Sequence, residues 1–292
     1  MAVLVVASSE ARVGRSLIAA AVAYRIARSG APVTLARLFG DESADADAAA
    51  FSRIEYVSSP GRALSADDVK AIDGAVVVEA PAGAVDALAT ALDARVLNVA
   101  TPGSRSGETS AAPTAGTIVT NVPARDAAVI ARRGGVLAVL PEDRVLAAPS
   151  VADIAASLQA TWIAGEGAAP SIERVMIGTV ASDAAAPYFG ERARTCVVTR
   201  FDKTDIQLAA LQTDLECLVL TDGGQPSPYL IDRVRGHRDE IAVLLAPGST
   251  VETMRTIEGL YAMSRFAGET GKLERAVSLL DAALGDDTLI VA

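Results

Sequence analysis

The sequence predicts an α/β protein of two domains, a parallel-sheet domain followed by a smaller α/β domain. Three observations lead there. Short apolar runs alternate with segments of helical spacing, the signature of strand–helix–strand units. The runs are continuous rather than alternating, which suits strands covered on both faces. A stretch of small residues, Gly165-Glu166-Gly167-Ala168-Ala169-Pro170, reads as a linker between residues 1–164 and 171–292.

In the first domain the strand runs are Val3–Ala7, Val33–Leu38, Ala75–Glu79, Val96–Ala100, Thr117–Asn121 and Val136–Leu140. Helical spacing covers Arg15–Arg28, which ends at Gly30, then Val85–Leu92, Arg125–Arg133 and Val151–Leu158, the last capped by Ser150. Between Ala100 and Gly116 a Gly/Ser/Thr/Ala/Pro loop stands where a crossover helix is usual. In the second domain strands are expected at Arg174–Val180, Thr195–Thr199, Cys217–Thr221 and Ile241–Leu245. Helices are expected at Asp183–Tyr188, Asp205–Leu211, Pro228–Val234 and Val251–Leu260, and a final amphipathic helix at Lys272–Leu284.

Composition excludes several functions. The 292 residues are 51% hydrophobic but only 4% aromatic, so alanine and branched aliphatics build the cores. A net charge of −10 argues against a nucleic-acid partner and serves solubility. No apolar run approaches the roughly 18 residues of a membrane helix, and no basic amphipathic stretch suggests a membrane surface. Met1-Ala2-Val3-Leu4-Val5-Val6 lacks a basic leader and enters a strand at once, so a cytoplasmic protein is expected. Cys196 and Cys217 each lie in an apolar run and read as buried free thiols. His237, the one histidine, sits in a solvated turn, so no zinc site or Cys–His nucleophile can be assembled.

The chemistry-bearing segment follows the first strand: Ser8-Ser9-Glu10-Ala11-Arg12-Val13-Gly14-Arg15-Ser16, then a helix. Strand, loop and helix N-terminus form the geometry in which backbone N–H groups cradle phosphate. Against the pattern G-x-x-x-x-G-K-[ST], Gly14 and Ser16 match, Ser9 replaces the first glycine and Arg15 the lysine. The nearest lysine in sequence is Lys70. Arginine is a broad planar fork where lysine is a compact charge, so nucleotide binding is compatible with the segment and efficient phosphoryl transfer is not. Ser9, Val13, Gly14, Arg15 and Ser16 are therefore candidate nucleotide contacts, with Asn121, at another strand end, able to read a base edge or simply to turn the chain.

Further segments carry a resemblance. Leu4–Ser9 with Gly14–Leu17, Val76-Val77-Val78-Glu79-Ala80-Pro81, Gly116–Pro123 and Leu140-Pro141-Glu142-Asp143-Arg144 through Val151 together resemble the dethiobiotin synthetase-like P-loop domain. That domain also forms the N-terminal regulatory part of long phosphate acetyltransferases. Phe201-Asp202-Lys203-Thr204-Asp205 through Leu211, Leu218–Gly224 and Pro226-Ser227-Pro228 resemble the DRTGG domain, a small regulatory α/β module. Here Lys203 replaces its name-giving arginine and Asp222 interrupts its Thr-Gly-Gly.

The resemblance implies ATP or another adenine nucleotide as ligand, magnesium as a possible companion, and a homodimer. Ser16, Asp47 and Glu79 are the candidate metal ligands. Asp45 and Asp47 read equally well as a solvated acidic loop opening a helix, whereas Glu79 ends a buried strand at the edge where α/β sheets place ligands. Arg37 ends the second strand and is a candidate phosphate partner. In the second domain Asp202, Thr204, Asp205, Thr221, Gly223 and Gly224 fall at the ends of successive strands, a regulatory ligand groove or a pair of capped turns. No catalytic residue is assigned. The expected function is a nucleotide-responsive regulatory protein with a degenerate phosphate loop; the alternative is a magnesium- and ATP-dependent ligase of the dethiobiotin synthetase type.

Overall fold

The structure is a computed structural model and describes residues 2–83, 85–104, 113–166, 170–179, 189, 194–235 and 241–285. The chain divides into two compact units, Met1–Leu146 with Arg265–Ala292, and Ala147–Ser264.

The first unit contains β1 (Ala2–Ala7), α1 (Arg15–Arg28), β2 (Val33–Arg37), α2 (Ala44–Phe51), α3 (Ala66–Lys70), β3 (Ala75–Glu79), α4 (Val85–Leu92), β4 (Arg95–Ala100), β5 (Thr114–Val122), α5 (Ala127–Ile130) and β6 (Val136–Pro141), with α6 (Arg144–Ala147) closing the stretch. Its six strands pair in the order β2-β3-β1-β4-β5-β6, all parallel. The sheet is buried on both faces, which explains the unbroken apolar strands. Along β1, Leu4 and Val6 face a core built with α1, while Val3, Val5 and Ala7 face one built with α3 and α4. Parallel pairing places every carboxyl end, and the loop that follows it, on one edge. The strand order reverses around β1, the location at which such sheets receive ligands.

The second unit contains α7 (Val151–Leu158), β7 (Thr161–Ala164), β8 (Arg174–Ile177), β9 (Thr195–Arg200), α8 (Thr204–Ala210), β10 (Cys217–Thr221), α9 (Pro228–Arg235), β11 (Ala242–Leu245) and α10 (Thr250–Leu260). Its sheet runs β7-β11-β10-β9-β8, with β7 antiparallel to β11 and the rest parallel. α8 and α9 cover one face, α7 and α10 the other. Cys196 and Cys217 are register partners on β9 and β10, both free and buried. The neighbouring thiol and burial raise the Cys217 pKa well above its ordinary value.

The last helix, α11 (Thr270–Leu284), returns to the first unit and packs on α1 and β6. The division therefore differs from the expected boundary at residues 165–170. Val151, Ile154 and Leu158 of α7 fill the second unit's core, and β7 completes its sheet. Leu273, Ala276, Val277 and Leu280 of α11 fill the first unit's core. The helix expected over Arg125–Arg133 shrinks to α5, and the expected strand Thr117–Asn121 lengthens to β5. The expected helix Asp183–Tyr188, His237 and most of the loop after Ser104 lie outside the described residues. Among the described residues no helix is long and apolar enough to cross a membrane.

Candidate functional site

The loop from Ser8 to Gly14 leaves the carboxyl end of β1 and opens α1. Gly14 is left-handed (φ 83°) at the N-cap, and its carbonyl accepts the helix's first hydrogen bond from Ile18 N–H at 3.0 Å. The loop's other left-handed residue is Arg12 (φ 61°), while Ser9 stays out of that region. The missing first glycine thus costs the backbone nothing at position 9. The loop is braced from two sides. Thr120 donates to the Val13 carbonyl at 2.7 Å, and Ser104 donates to Glu10 Oε2 at 2.8 Å. Ser9 and Gly14 are exposed at the edge, as is Asn121, left-handed (φ 54°) within β5. Val13 is buried in the core and its carbonyl is engaged by Thr120, so neither its side chain nor its carbonyl makes the contact expected of it.

Beside this loop an ion cluster fills the edge between β1, β3 and β2. Glu79, fully buried at the end of β3, is the register partner of both Val6 and Arg37. Its Oε1 accepts from Arg15 Nε at 2.9 Å and from the Ser16 hydroxyl at 2.9 Å. Its Oε2 lies 3.5 Å from Arg37 Nε, an ion pair without hydrogen-bond geometry. Arg37, also fully buried, pairs with Asp41 at 2.5 Å and Asp47 at 3.3 Å and donates to the Leu38 carbonyl at 2.6 Å. Asp47 further accepts from Ser43 at 2.8 Å and from Arg265 at 3.3 Å. Three guanidinium groups thus face three carboxylates.

Burial pushes the Glu79 pKa up, against the pull of Arg37 and Arg15. Burial also raises Asp41, but hydrogen bonds from Ser43 and Arg37 outweigh it and leave the pKa lowered.

This arrangement answers the metal expectation. Ser16 and Glu79 do come together, but Glu79 already faces two guanidinium groups, and a divalent cation there would meet both. Asp47 is neither solvated nor a free ligand, because Arg37 and Arg265 hold it. Among the described residues no group of three or more His, Cys, Asp or Glu side chains is placed to hold a metal ion. The residues do not fit magnesium. Arg37, expected as a phosphate partner, is instead consumed inside the cluster. Arg15 retains a buried Nη1 without a hydrogen-bond partner.

In the second unit the carboxyl ends of β9, β10 and β11 also share an edge. Thr221 is buried, and its hydroxyl pairs with that of Thr250 at 2.8 Å. Asp222 (φ 67°) and Gly223 (φ 58°) turn left-handed, with N–H groups donated to the Gly248 and Ala246 carbonyls. Those two donors are therefore unavailable to an anion. At Gly224 a Cβ would meet the tip of the Phe201 ring at 2.3–2.5 Å, so a side chain there would have to displace the ring. Asp202 is exposed and pairs with Arg200, which also reaches Asp222 at 3.2 Å. Thr204 and exposed Asp205 open α8, whose N-cap is Lys203 with no side-chain cap. The groups aligned on this edge thus include two that sequence reasoning passed over, Arg200 and Gln207. The Gln207 Nε2 donates to the Arg200 carbonyl at 2.7 Å, leaving its buried Oε1 without a partner, as is the Thr253 hydroxyl on α10.

One solved structure similar to this chain is the CBS and DRTGG domains of the regulatory region of Clostridium perfringens pyrophosphatase, complexed with its activator, diadenosine tetraphosphate. The likeness has 18% identity and a TM-score of 0.35, too low to carry anything across, and covers 41% of this chain. This chain spans about half of that one, 51%. Residues 153–260, which fall inside the second unit, match the DRTGG domain family, and this chain carries a DRTGG domain there.

Proposed function

We propose that this protein is a nucleotide-responsive regulator. On this reading the β1–α1 loop is a degenerate P-loop of the dethiobiotin synthetase-like kind, holding ATP or another adenine nucleotide without turning it over efficiently. The DRTGG domain serves as a regulatory module, with a second ligand groove along Asp202, Thr204 and Asp205, while Thr221, Gly223 and Gly224 shape the turn beside it. A homodimer in the cytoplasm is the setting the resemblance suggests.

The observation that carries this reading is the double hydrogen bond to Glu79 Oε1. Phosphoryl transfer relies on a mobile cation to follow the transferring group and on a hydroxyl to orient magnesium. Arg15 and Ser16 occupy those positions, and both are spent on one internal carboxylate. The exposed loop with its left-handed Gly14 still offers a helix N-terminus to phosphate.

A thermal-shift panel of AMP, ADP and ATP, with and without magnesium, tests the proposal. A ligand of the folded state at 100 times its Kd adds about 2.7 kcal/mol of stability. At least one adenine nucleotide is expected to raise the melting temperature, with no requirement for magnesium. No shift at millimolar nucleotide would remove the binding claim. Turnover of about 1 per second or faster would favour the ligase.

A further inference from the structure

We infer that Lys272, on α11, is the phosphate-binding lysine of the first unit, supplying from the far end of the sequence the cation that the β1–α1 loop lacks, for a nucleotide polyphosphate. The inference rests on the nucleotide reading of that loop.

The direction of α11 is fixed at both ends. Near its C-terminus Asp281 pairs with Arg25 at 2.6 Å and Arg28 at 3.5 Å, and the Gly285 carbonyl accepts from Arg25 at 2.8 Å. These arginines are in the last turns of α1, at the amino edge of the sheet. Near its N-terminus Arg275 pairs with Asp143, just past the carboxyl end of β6, at 2.8 Å. Just upstream of the helix, Arg265 reaches Asp47 of the ion cluster. α11 therefore starts at the carboxyl edge and runs alongside α1 in the same direction.

Lys272 precedes Asp281 by the same nine residues that separate Ser16 from Arg25. At 1.5 Å per residue, each interval is about 13.5 Å, which sets Lys272 level with the start of α1. Lys272 also shares the core-facing side of α11 with Leu273, Ala276, Val277 and Leu280.

A structural role explains this lysine poorly. Its side chain is 2% exposed, and its ion-pair partner among the described residues is Glu269 at 3.3 Å. A cation in the first turn of a helix opposes the helix dipole, and a buried ion pair is seldom more stable than apolar packing of the same volume. Both penalties are offset if an anion enters at this edge. Within the first unit the other lysine, Lys70, pairs with Asp67 on α3. Arg15 is held by Glu79.

The test is equilibrium titration of the full chain and two variants, Lys272→Met and Glu269→Gln, with ATP. Losing a charge-assisted hydrogen bond is expected to weaken ATP binding about tenfold or more in Lys272→Met. Glu269→Gln keeps an acceptor for the Ala267 N–H but releases Lys272, so it is expected to bind ATP more tightly than wild type. A merely structural ion pair would weaken both variants alike, and that result overturns the inference. So does unchanged affinity in Lys272→Met. Should Lys272→Met fail to fold, Glu269→Gln decides alone: tighter binding supports the assignment, and unchanged or weaker binding overturns it. If wild type itself binds no ATP, the nucleotide reading falls and takes this inference with it. If wild type binds and both variants match it, only the role of Lys272 falls.

Discussion

At the scale of single residues, Arg37 and Glu79 dominate the first unit's site. Each is fully buried, and each is the other's neighbour in strand register. Removing one partner of a buried pair leaves the other charge uncompensated, at a cost of about 3–5 kcal/mol. Arg37→Met is therefore expected to lower the unfolding free energy by about that amount in urea titration, and a loss below about 1 kcal/mol would show that the cluster is solvent-screened. The pH dependence has a defined sign. Because the folded pKa of Glu79 lies above its ordinary 4.5, its contribution to stability is complete below that value and is lost as pH rises through the folded pKa. Wild type should lose stability relative to Glu79→Gln as pH rises above 4.5; a constant difference would contradict the raised pKa. Asp41 has the opposite sign. Its stabilisation holds above 3.8 and is lost as pH falls through its lowered value. The positions of Arg37 and Glu79 at strand ends were legible in the sequence, because each closes an apolar run. Their pairing was not, because it depends on which strands become neighbours.

At the scale of elements, local rules carried far. β3, β10, α1, α4 and α7 take the bounds that periodicity predicts, and Ser150 caps α7 in a capping box with Asp153. Four elements escaped, α2, α3, α6 and β7, and for α2 and β7 the physical reason is plain. α2 is mostly alanine and aspartate, so it has no apolar stripe and reads as an acidic loop until Arg37 and Arg265 neutralise Asp47. β7 is four residues long and is defined by antiparallel pairing with β11, far along the chain. The turn after β10 offers a clean test of packing. Gly224→Ala would drive a methyl group into the Phe201 ring, a clash expected to cost about 1–3 kcal/mol. Adding Phe201→Leu should recover part of that loss; no recovery would place the strain elsewhere in the turn. Ser249 caps α10 in a second capping box, with Glu252, and Ser249→Ala is expected to cost about 1 kcal/mol.

At the scale of the whole molecule, the second unit is inserted between α6 and α11, so the first unit is discontinuous in sequence. The small-residue stretch at 165–170 was the best linker candidate in the sequence, whereas the divisions fall in ordinary helical and turn sequence that only packing reveals. A fragment of residues 147–264 is expected to melt cooperatively by circular dichroism. A fragment of residues 171–292 lacks α7 and β7 and carries α11 with no α1 to cover it, so it should melt earlier and less cooperatively. Equal stability of the two would contradict the division.

The central claim is that the first unit holds nucleotide and leaves it intact. It is tested most directly by equilibrating the full chain with ATP and magnesium, separating bound from free ligand, and identifying the nucleotide recovered from the protein. The expected result is stoichiometric bound nucleotide recovered as ATP after minutes of incubation, since Arg15 and Ser16 remain committed to Glu79. Recovery of ADP formed within about a second, or of no bound nucleotide at all, would contradict the claim.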